Sequence, residues 1–279
     1  MILEKNLLKI WEFNLSLLDN LKNFMSEHFE FYELDPPKEG DQPQLPPMFS
    51  SQEVLNGQSV FNKAVTAANS GDVGTVFYSC DEGILNVAIT LNPEIIKSKA
   101  IQVHYLMTLG LSDTLAALVP PEIEISHIWP NLMFMNRGVM GQVLLYSSGE
   151  ELNEVPSWIV TGVQIRREVE CLKFHETIEA TSFEDEGASF LSNVRVIEAV
   201  TRHFFVWLST WQDKGFKPVY DTWMERIVPK FKAEEVSEEF KGTWIGLDEN
   251  GLGLFKNKKD HFSLSLNEIN LRNEISKNN

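Results

Sequence analysis

Apolar side chains recur at helical spacing in five stretches of the chain. The predicted helices are 7–29, 58–68, 92–118, 193–211 and 218–227. Apolar residues three or four positions apart share one face of a helix, so these stretches are typical of amphipathic helices. The third has the clearest start, with Asn92 as a predicted N-cap, Pro93 at the first helical position and Glu94 in the first turn.

Runs rich in β-branched and aromatic residues lie between these helices and indicate strands. The predicted strands are 74–78, 85–91, 128–134, 142–146 and 158–165. A turn at 80–83 joins the first two into a hairpin, and Asn136-Arg137-Gly138 joins the next two. Strands interleaved with helices predict an α+β fold.

Composition changes along the chain suggest four segments. Residues 1–34 hold the first amphipathic helix, and 35–47 contain five prolines that predict an extended linker. The main domain is predicted at 48–238 and a small all-β domain at 239–279, where short strands flank the Asp248–Gly251 turn. The N-terminal helix needs a cover for its apolar face. Packing on its own domain is the simpler interpretation, and docking on another protein is the alternative.

Charge and hydropathy exclude several functions. The chain has 40 acidic and 24 basic residues, a formal net charge of −16. Nucleic-acid-binding surfaces carry basic patches, so nucleic acid is not an expected partner. No apolar run approaches the roughly 20 residues that cross a bilayer, so no membrane association is expected. Acidic residues near the N-terminus suit neither a secretory signal nor a mitochondrial presequence, and the expected location is the cytoplasm.

The residues most often used for metal binding or nucleophilic catalysis are sparse. The two cysteines, Cys80 and Cys171, are too few and too isolated for a disulfide framework or a zinc site. Cys80 is beside Asp81 and Glu82, whose charges would raise the pKa of its thiol and reduce its reactivity. The six histidines show no pair at metal-ligand spacing, so no metal site is predicted.

One motif carries more information than its length suggests. Trp129-Pro-Asn131 is followed by a strand, a glycine turn, Gly141 and the apolar run 143–145. This arrangement resembles the core signature of the biotin/lipoate protein ligase family, in which a Lys-Trp-Pro-Asn-Asp segment lines the ligand pocket. In that family a lysine three residues before the glycine contacts the acyl-adenylate.

Other segments resemble the same family, in the same order. They are 158–163, similar to a strand ending in a Gly-rich segment; 181–187; 207–223, similar to a closing helix, turn and tryptophan; and 241–251, similar to the start of a C-terminal β-barrel. The likeness is greatest to a bacterial branch that opens with an "LPP-F" segment, here Leu45-Pro-Pro-Met-Phe49.

The resemblance implies a specific architecture and site. The fold would be a central mixed or antiparallel sheet flanked by helices, as in class II synthetases, followed by a small SH3-like barrel. The ligand-binding residues would be Trp129, Pro130, Asn131, Arg137, Gly138, Gly141 and Gly162. The implied cofactors are ATP with Mg²⁺ and biotin or lipoate. The implied partner is a biotinyl or lipoyl acceptor protein, and a homodimer is compatible with the family.

Several family residues are replaced in this chain. The Gly-Arg-Gly-Arg-x-Gly-Arg loop of active biotin ligases corresponds here to the short acidic segment Ser79–Gly83. Ile128 and Leu132 stand in place of the lysine and aspartate that flank Trp-Pro-Asn, and Gly138 stands in place of the adenylate-contacting lysine. The family asparagine at the end of the later strand corresponds to Arg166. Arg137, beside the missing lysine, is the candidate for a substitute cation.

Two functions follow from this mixture of likeness and loss. The first is a diverged ligase that attaches biotin, lipoate or a related acyl group to a protein lysine through an acyl-adenylate. The second is a non-catalytic binding or scaffold protein that keeps the ligase fold. Removing one group that stabilises a transition state typically lowers the rate on the order of a hundredfold, so loss of both the loop and the lysine should abolish ordinary adenylation.

Overall fold

The computed structural model describes residues 37–170, 173, 178–228, 242–257 and 260–266. The predicted N-terminal helix, Cys171 and His175 lie outside the described residues. Within these ranges, no helix is long and apolar enough to span a bilayer.

A seven-stranded sheet forms the centre of the molecule. Its strands are β1 (Ser50–Glu53), β2 (Thr75–Asp81), β3 (Ile84–Leu91), β4 (Ile125–Ile128), β5 (Leu132–Met135), β6 (Gly138–Ser147) and β7 (Ile159–Arg166). They are ordered β1-β2-β3-β7-β6-β5-β4. Only the β1–β2 pair is parallel, and the other neighbours are antiparallel. The predicted α+β architecture with a central mixed sheet is therefore confirmed.

Five helices accompany the sheet in the described part of the chain. They are α1 (Val60–Asn69), α2 (Lys97–Ala100), α3 (Val103–Leu118), α4 (Asn193–Lys214) and α5 (Phe216–Glu225). Alternate strand residues such as Val87 and Val163 join the buried residues of α3 and α4 in the main core. Helix α1 packs on the opposite face, where Phe61 meets Phe77 and Ala88 in a second cluster. The two faces are thus covered by different helices.

Two elements differ most from the prediction. Residues 92–96 are not helical, and Ile96 and Gln102 occupy the N-cap positions of α2 and α3. The first amides of α2 instead find tertiary partners, because Lys97 N donates to Glu154 O at 2.7 Å. The strand predicted at 128–134 is also interrupted. The segment 129–131 separates β4 from β5 and contains the cis peptide bond Trp129–Pro130.

The C-terminal residues form a separate small sheet. Strands β8 (Thr243–Leu247), β9 (Gly253–Lys256) and β10 (His261–Leu264) are antiparallel, in the order β10-β9-β8. They match the three short strands predicted from sequence. Closure into an SH3-like barrel stays a prediction.

The proline-rich segment 37–47 lies against the start of α4. The N-cap hydroxyl of Ser192 donates to Pro37 O at 2.6 Å, and the Glu39 carboxylate accepts from Asn193 N at 2.7 Å. Gln44 N donates to the buried Glu198 carboxylate at 2.7 Å. This segment therefore acts as a strap that satisfies one free amide, that of Asn193, at the beginning of α4 and is held by Ser192 and Glu198.

Candidate functional site

Polar side chains cross the sheet on the face that carries α1. The set is Ser79, Asn86, Gln164, Gln142 and Asn131, taken from β2, β3, β7, β6 and the segment before β5. The strand register places Ser79 opposite Asn86 and Asn86 opposite Gln164. Gln142 lies opposite both Gln164 and Leu132, which directly follows Asn131. Directly opposite residues point to the same face, so the side chains of Ser79, Asn86, Gln164 and Gln142 adjoin one another. Asn131 is outside the strands and joins this set through its own hydrogen bond to Gln142.

Four of these side chains form a hydrogen-bonded chain that we call the amide row: Asn131, Gln142, Gln164 and Asn86. Asn131 Nδ2 donates to Gln142 Oε1 at 3.4 Å, and Gln142 Nε2 donates to Gln164 Oε1 at 2.6 Å. Gln164 Nε2 donates to Asn86 Oδ1 at 2.6 Å, and Asn86 Nδ2 donates to the backbone oxygen of Ile84 at 3.2 Å. All four residues are half-buried. Each amide retains one further N–H and one further lone pair for a ligand.

Sequence reasoning identified only one member of the row. Asn131 was expected from the Trp-Pro-Asn motif, whereas Asn86, Gln142 and Gln164 were missed. The available signal was a single carboxamide in each of three predominantly apolar strands.

The predicted glycines lie close to the row and permit tight strand packing. Gly162 is two residues before Gln164 on the same face, and an added Cβ there would lie 2.0 Å from Val87 O. Gly141 precedes Gln142, and its added Cβ would lie 2.5 Å from Gln164 O. Gly162 therefore leaves space beside the row on its own face, and Gly141 allows close packing of β6 and β7 on the opposite face.

Trp129 and Pro130 lie on the other side of the same segment. The Trp129 ring is fully buried and stacks on Trp244 of β8, with centroids 5.7 Å apart. His104 Nε2 contacts Pro130 O at 2.7 Å. A carbonyl only accepts, so Nε2 carries the proton and Nδ1 does not. Burial lowers the pKa of His104 to about 4, partly opposed by this hydrogen bond, and the ring is neutral near pH 7.

The hairpin between β2 and β3 is closed by two residues. Asp81 pairs with Ile84, and Glu82 and Gly83 form the connection with φ values of 49° and 72°. Positive φ at both central residues is typical of a type I′ turn. Asp81 is held at this end, where its carboxylate accepts from Gly57 N. The β2–β3 connection and its flanking residue Asp81 are therefore short and acidic.

The resemblance implies a lysine at position 138, where this chain has glycine. An added Cβ at Gly138 would lie 2.6 Å from the Cβ of Thr181, so the position has no room for a lysine. Neighbouring Arg137 is exposed in the β5–β6 turn. Ile128 and Leu132 are buried in the main core.

Arg166 ends β7 two residues beyond Gln164. Its side chain is 2% exposed and donates to backbone oxygens of Thr181 at 2.9 Å and Val169 at 2.7 Å. These contacts anchor the segment after β7, which is a structural role for this guanidinium.

Within the described ranges, the remaining cysteine and histidine side chains lie apart from one another. Cys80 is a free cysteine and is exposed as a residue. Partial burial of its thiol raises the pKa of that group, whereas Arg167 and a hydrogen bond with Asn193 act to lower the pKa. His203 Nδ1 is 3.0 Å from Thr114 Oγ1, as expected for a hydrogen-bonded helix residue. Among the described residues, no three His, Cys, Asp or Glu side chains are grouped as a metal site.

Comparison with known structures finds the same fold in biotin protein ligases. A biotin protein ligase-like protein of unknown function from Silicibacter sp. TM1040 superposes with a TM-score of 0.73 and 23% identity, over 82% of this chain and 99% of its own. The biotin protein ligase of Aquifex aeolicus gives 0.59 and 20%, over 78% and 96%. Its complex with biotin and ATP gives 0.57 and 17%, over 77% and 94%. At these identities the likeness shows a shared fold.

Sequence comparison identifies the family. No curated protein matches the sequence of this chain. The family model for the biotin/lipoate A/B protein ligases matches residues 45–225, more than half of the chain. The resemblance carried by Trp129-Pro-Asn131 is confirmed, and this protein belongs to the biotin/lipoate A/B protein ligase family.

Proposed function

We propose that this protein binds a small carboxylic acid of the biotin class on the amide row and does not activate it as an adenylate. The observation that carries the proposal is the row itself, in which three half-buried carboxamides are in register on one sheet face and Asn131 extends them through its hydrogen bond to Gln142. A ureido or amide group is planar and both donates and accepts hydrogen bonds. Carboxamides with unused N–H groups and lone pairs complement such a group.

Flanking side chains add apolar contact on one side of the row. Leu144 and Tyr146 follow Gln142 at alternate positions of β6 and are half-buried. The Tyr146 ring lies 5.9 Å from the ring of Phe61 in α1. A ligand would thus find carboxamides beside apolar surface, the combination common in small-molecule sites.

The residues near the row fit a triphosphate poorly. Asp81 ends β2 and Glu82 lies in the β2–β3 connection, where their carboxylates would repel phosphate. Position 138 has no space for a cationic side chain. The proposal therefore includes neither ATP nor Mg²⁺ as a working cofactor, and it needs no acceptor protein or homodimer.

The test is a thermal-shift panel with biotin, lipoate and octanoate, each with and without ATP and Mg²⁺. The Aquifex aeolicus ligase has been solved with biotin and ATP, which sets the choice of ligands. We expect biotin alone to raise the Tm, since ligand at 100 times Kd stabilises by about 2.7 kcal/mol. ATP should add nothing, and no ATP-dependent pyrophosphate exchange should occur.

Two variants test whether the ligand-induced rise in Tm depends on the amide row. Gln164→Ala should remove most of the shift, because it breaks two of the row's hydrogen bonds. Gln52→Ala, at an exposed position of β1, is the matched control and should keep it. Pyrophosphate exchange with any of the acids would instead establish the diverged ligase, which transfers an acyl group to a protein lysine. No shift with any acid would refute ligand binding on this face.

A further inference from the structure

We infer that the C-terminal sheet positions Asn131 within the amide row through Trp129 and Tyr105, and thereby sets the ligand affinity of the row. The effect on affinity rests on the proposed function. The positioning itself is a property of the fold. Ring contacts and hydrogen bonds join the small sheet of β8–β10 to Trp129 and Tyr105.

The first link is the packing of the small sheet against the side chain of Trp129. Its indole stacks on Trp244 at an interplanar angle of 26°, and the Phe255 ring lies 5.4 Å away at its edge. Gly253 allows this approach, because an added Cβ there would lie 2.8 Å from the Trp129 ring. Residues of both β8 and β9 therefore pack directly against the Trp129 side chain.

The second link is the buried phenol of Tyr105. Its hydroxyl donates to Gly251 O in the β8–β9 turn and accepts from Trp129 Nε1 at 3.1 Å. Gly251 has φ +89°, and an added Cβ would lie 2.6 Å from Tyr105 Cε2. One hydroxyl thus joins the turn of the small sheet to the motif tryptophan.

The third link passes along the backbone from Trp129 to the row. The carbonyl of Pro130 is held by His104, and the carbonyl of Asn131 accepts from Val143 N at 2.9 Å. The Asn131 side chain then reaches Gln142 at 3.4 Å, whereas the next two bonds of the row are 2.6 Å. The 3.4 Å distance between Asn131 Nδ2 and Gln142 Oε1 is longer than the usual range of about 2.7–3.2 Å for N–H···O hydrogen bonds, so this bond is the weakest of the three. The row is most easily broken where the C-terminal sheet supports it.

The primary test is Tyr105→Phe, which removes the hydroxyl and keeps the ring. Side-chain NH₂ resonances in ¹H–¹⁵N spectra report the row directly, and Asn131→Ala and Gln142→Ala identify the signals by their loss. We expect Tyr105→Phe to shift the Asn131 and Gln142 signals and to weaken biotin binding about five- to tenfold, as for loss of one hydrogen bond. Tyr220→Phe on α5 is the matched control and should change neither.

A second pair of variants leaves every core side chain in place, and one of the two, Gly251→Ala, acts from the small sheet. Gly251→Ala pushes on the Tyr105 ring, while Gly149→Ala introduces similar backbone strain at φ +69° into open space. Only Gly251→Ala should shift the Asn131 signal. If both Tyr105→Phe and Gly251→Ala leave that signal in place, the inference is overturned even when biotin binds. If biotin does not bind the parent chain, the proposed function fails, and the spectra still decide whether the sheet positions Asn131.

Discussion

The structure explains glycine at position 138 differently from the sequence. In the sequence it is a missing lysine, which suggests that one substitution would restore a cation. In the structure, Thr181 lies against Cα of Gly138, and Thr181 N donates to Val139 O at 3.0 Å. The loss of the lysine and the packing of the 179–181 segment are therefore one feature.

Gly138→Lys should destabilise the protein and should not create adenylation. Its Cβ would meet Thr181 at 2.6 Å, and forcing atoms into a packed site typically costs about 1–3 kcal/mol. Chemical denaturation measures the loss, and pyrophosphate exchange measures the activity. Arg137→Lys, in the exposed turn beside it, is the control and should leave stability unchanged. Exchange activity in a stably folded Gly138→Lys protein would contradict this account.

At the scale of elements, the strap at 37–47 completes the N-terminus of α4. Ser192 Oγ accepts from Arg195 N at 3.2 Å while it donates to Pro37 O. The same hydroxyl therefore caps the helix and ties down the strap. Helix capping and fixation of the proline-rich segment are coupled through one side chain.

Ser192→Ala should lower the free energy of unfolding by about 1 kcal/mol, the usual effect of losing an N-cap. It should also speed proteolytic cleavage within 37–47, because Pro37 O loses its partner. Unfolding curves and limited proteolysis followed by mass spectrometry measure the two effects. Ser209→Ala, in the middle of the same helix, is the control and should be neutral or slightly stabilising, since alanine favours helix. Equal cleavage rates in both variants would argue against the coupling.

Strands β2, β3, β6 and β7 and the long helix α4 were predictable because their patterns are local, whereas β1 was not predicted. β2, β3, β6 and β7 follow runs of β-branched residues, and α4 follows its apolar stripe from the Ser192 cap onward. The predicted helix start at Asn92 was wrong because tertiary partners decide it. The first amides of α2 bond to carbonyls of 152–154, which no local signal reveals.

The site was predictable only where a motif marked it. Trp129-Pro-Asn131 pointed to the right segment, but the sequence did not reveal that Trp129 faces the C-terminal sheet while Asn131 faces the row. Asn86, Gln142 and Gln164 are distant in sequence and meet only through strand register. A one-residue change of register would place one of them on the other face, so this part of the site depends on the sheet as a whole.

At the scale of the whole molecule, two buried histidines connect stability to pH. His104 and His127 are each 1% exposed, and burial lowers their pKa values to about 4 and about 3. In both, Nε2 is hydrogen-bonded to a backbone carbonyl, of Pro130 and Trp223 respectively. The folded protein therefore keeps both rings neutral where an unfolded chain would protonate them.

Stability should fall as the pH decreases from 7 to 5. The unfolded histidines titrate near pH 6.5, so in this range the unfolded state binds more protons than the folded state. The loss at pH 5 should be on the order of 2 kcal/mol per histidine, and it should continue until the pH reaches the folded pKa values. Denaturation across this range measures the slope.

The control for this prediction separates buried from exposed rings. His104→Gln should reduce the pH slope by one proton, whatever its effect on absolute stability. His261→Gln, at an exposed position of β10, should leave the slope as in the parent. A parent protein whose stability is flat between pH 7 and 5 would rule out neutral burial of the two rings.

The backbone carbonyl of Ile84 has a consequence for the whole amide row. Asn86 can only donate to that carbonyl, so its own oxygen must face Gln164, and the same constraint passes along to Gln142 and Asn131. The four amide dipoles consequently point the same way and add, as peptide dipoles do along a helix, with the negative end at Asn131. A molecule lying across the sheet would meet an oriented field. Two ligands with the same groups in opposite order would bind with different affinities.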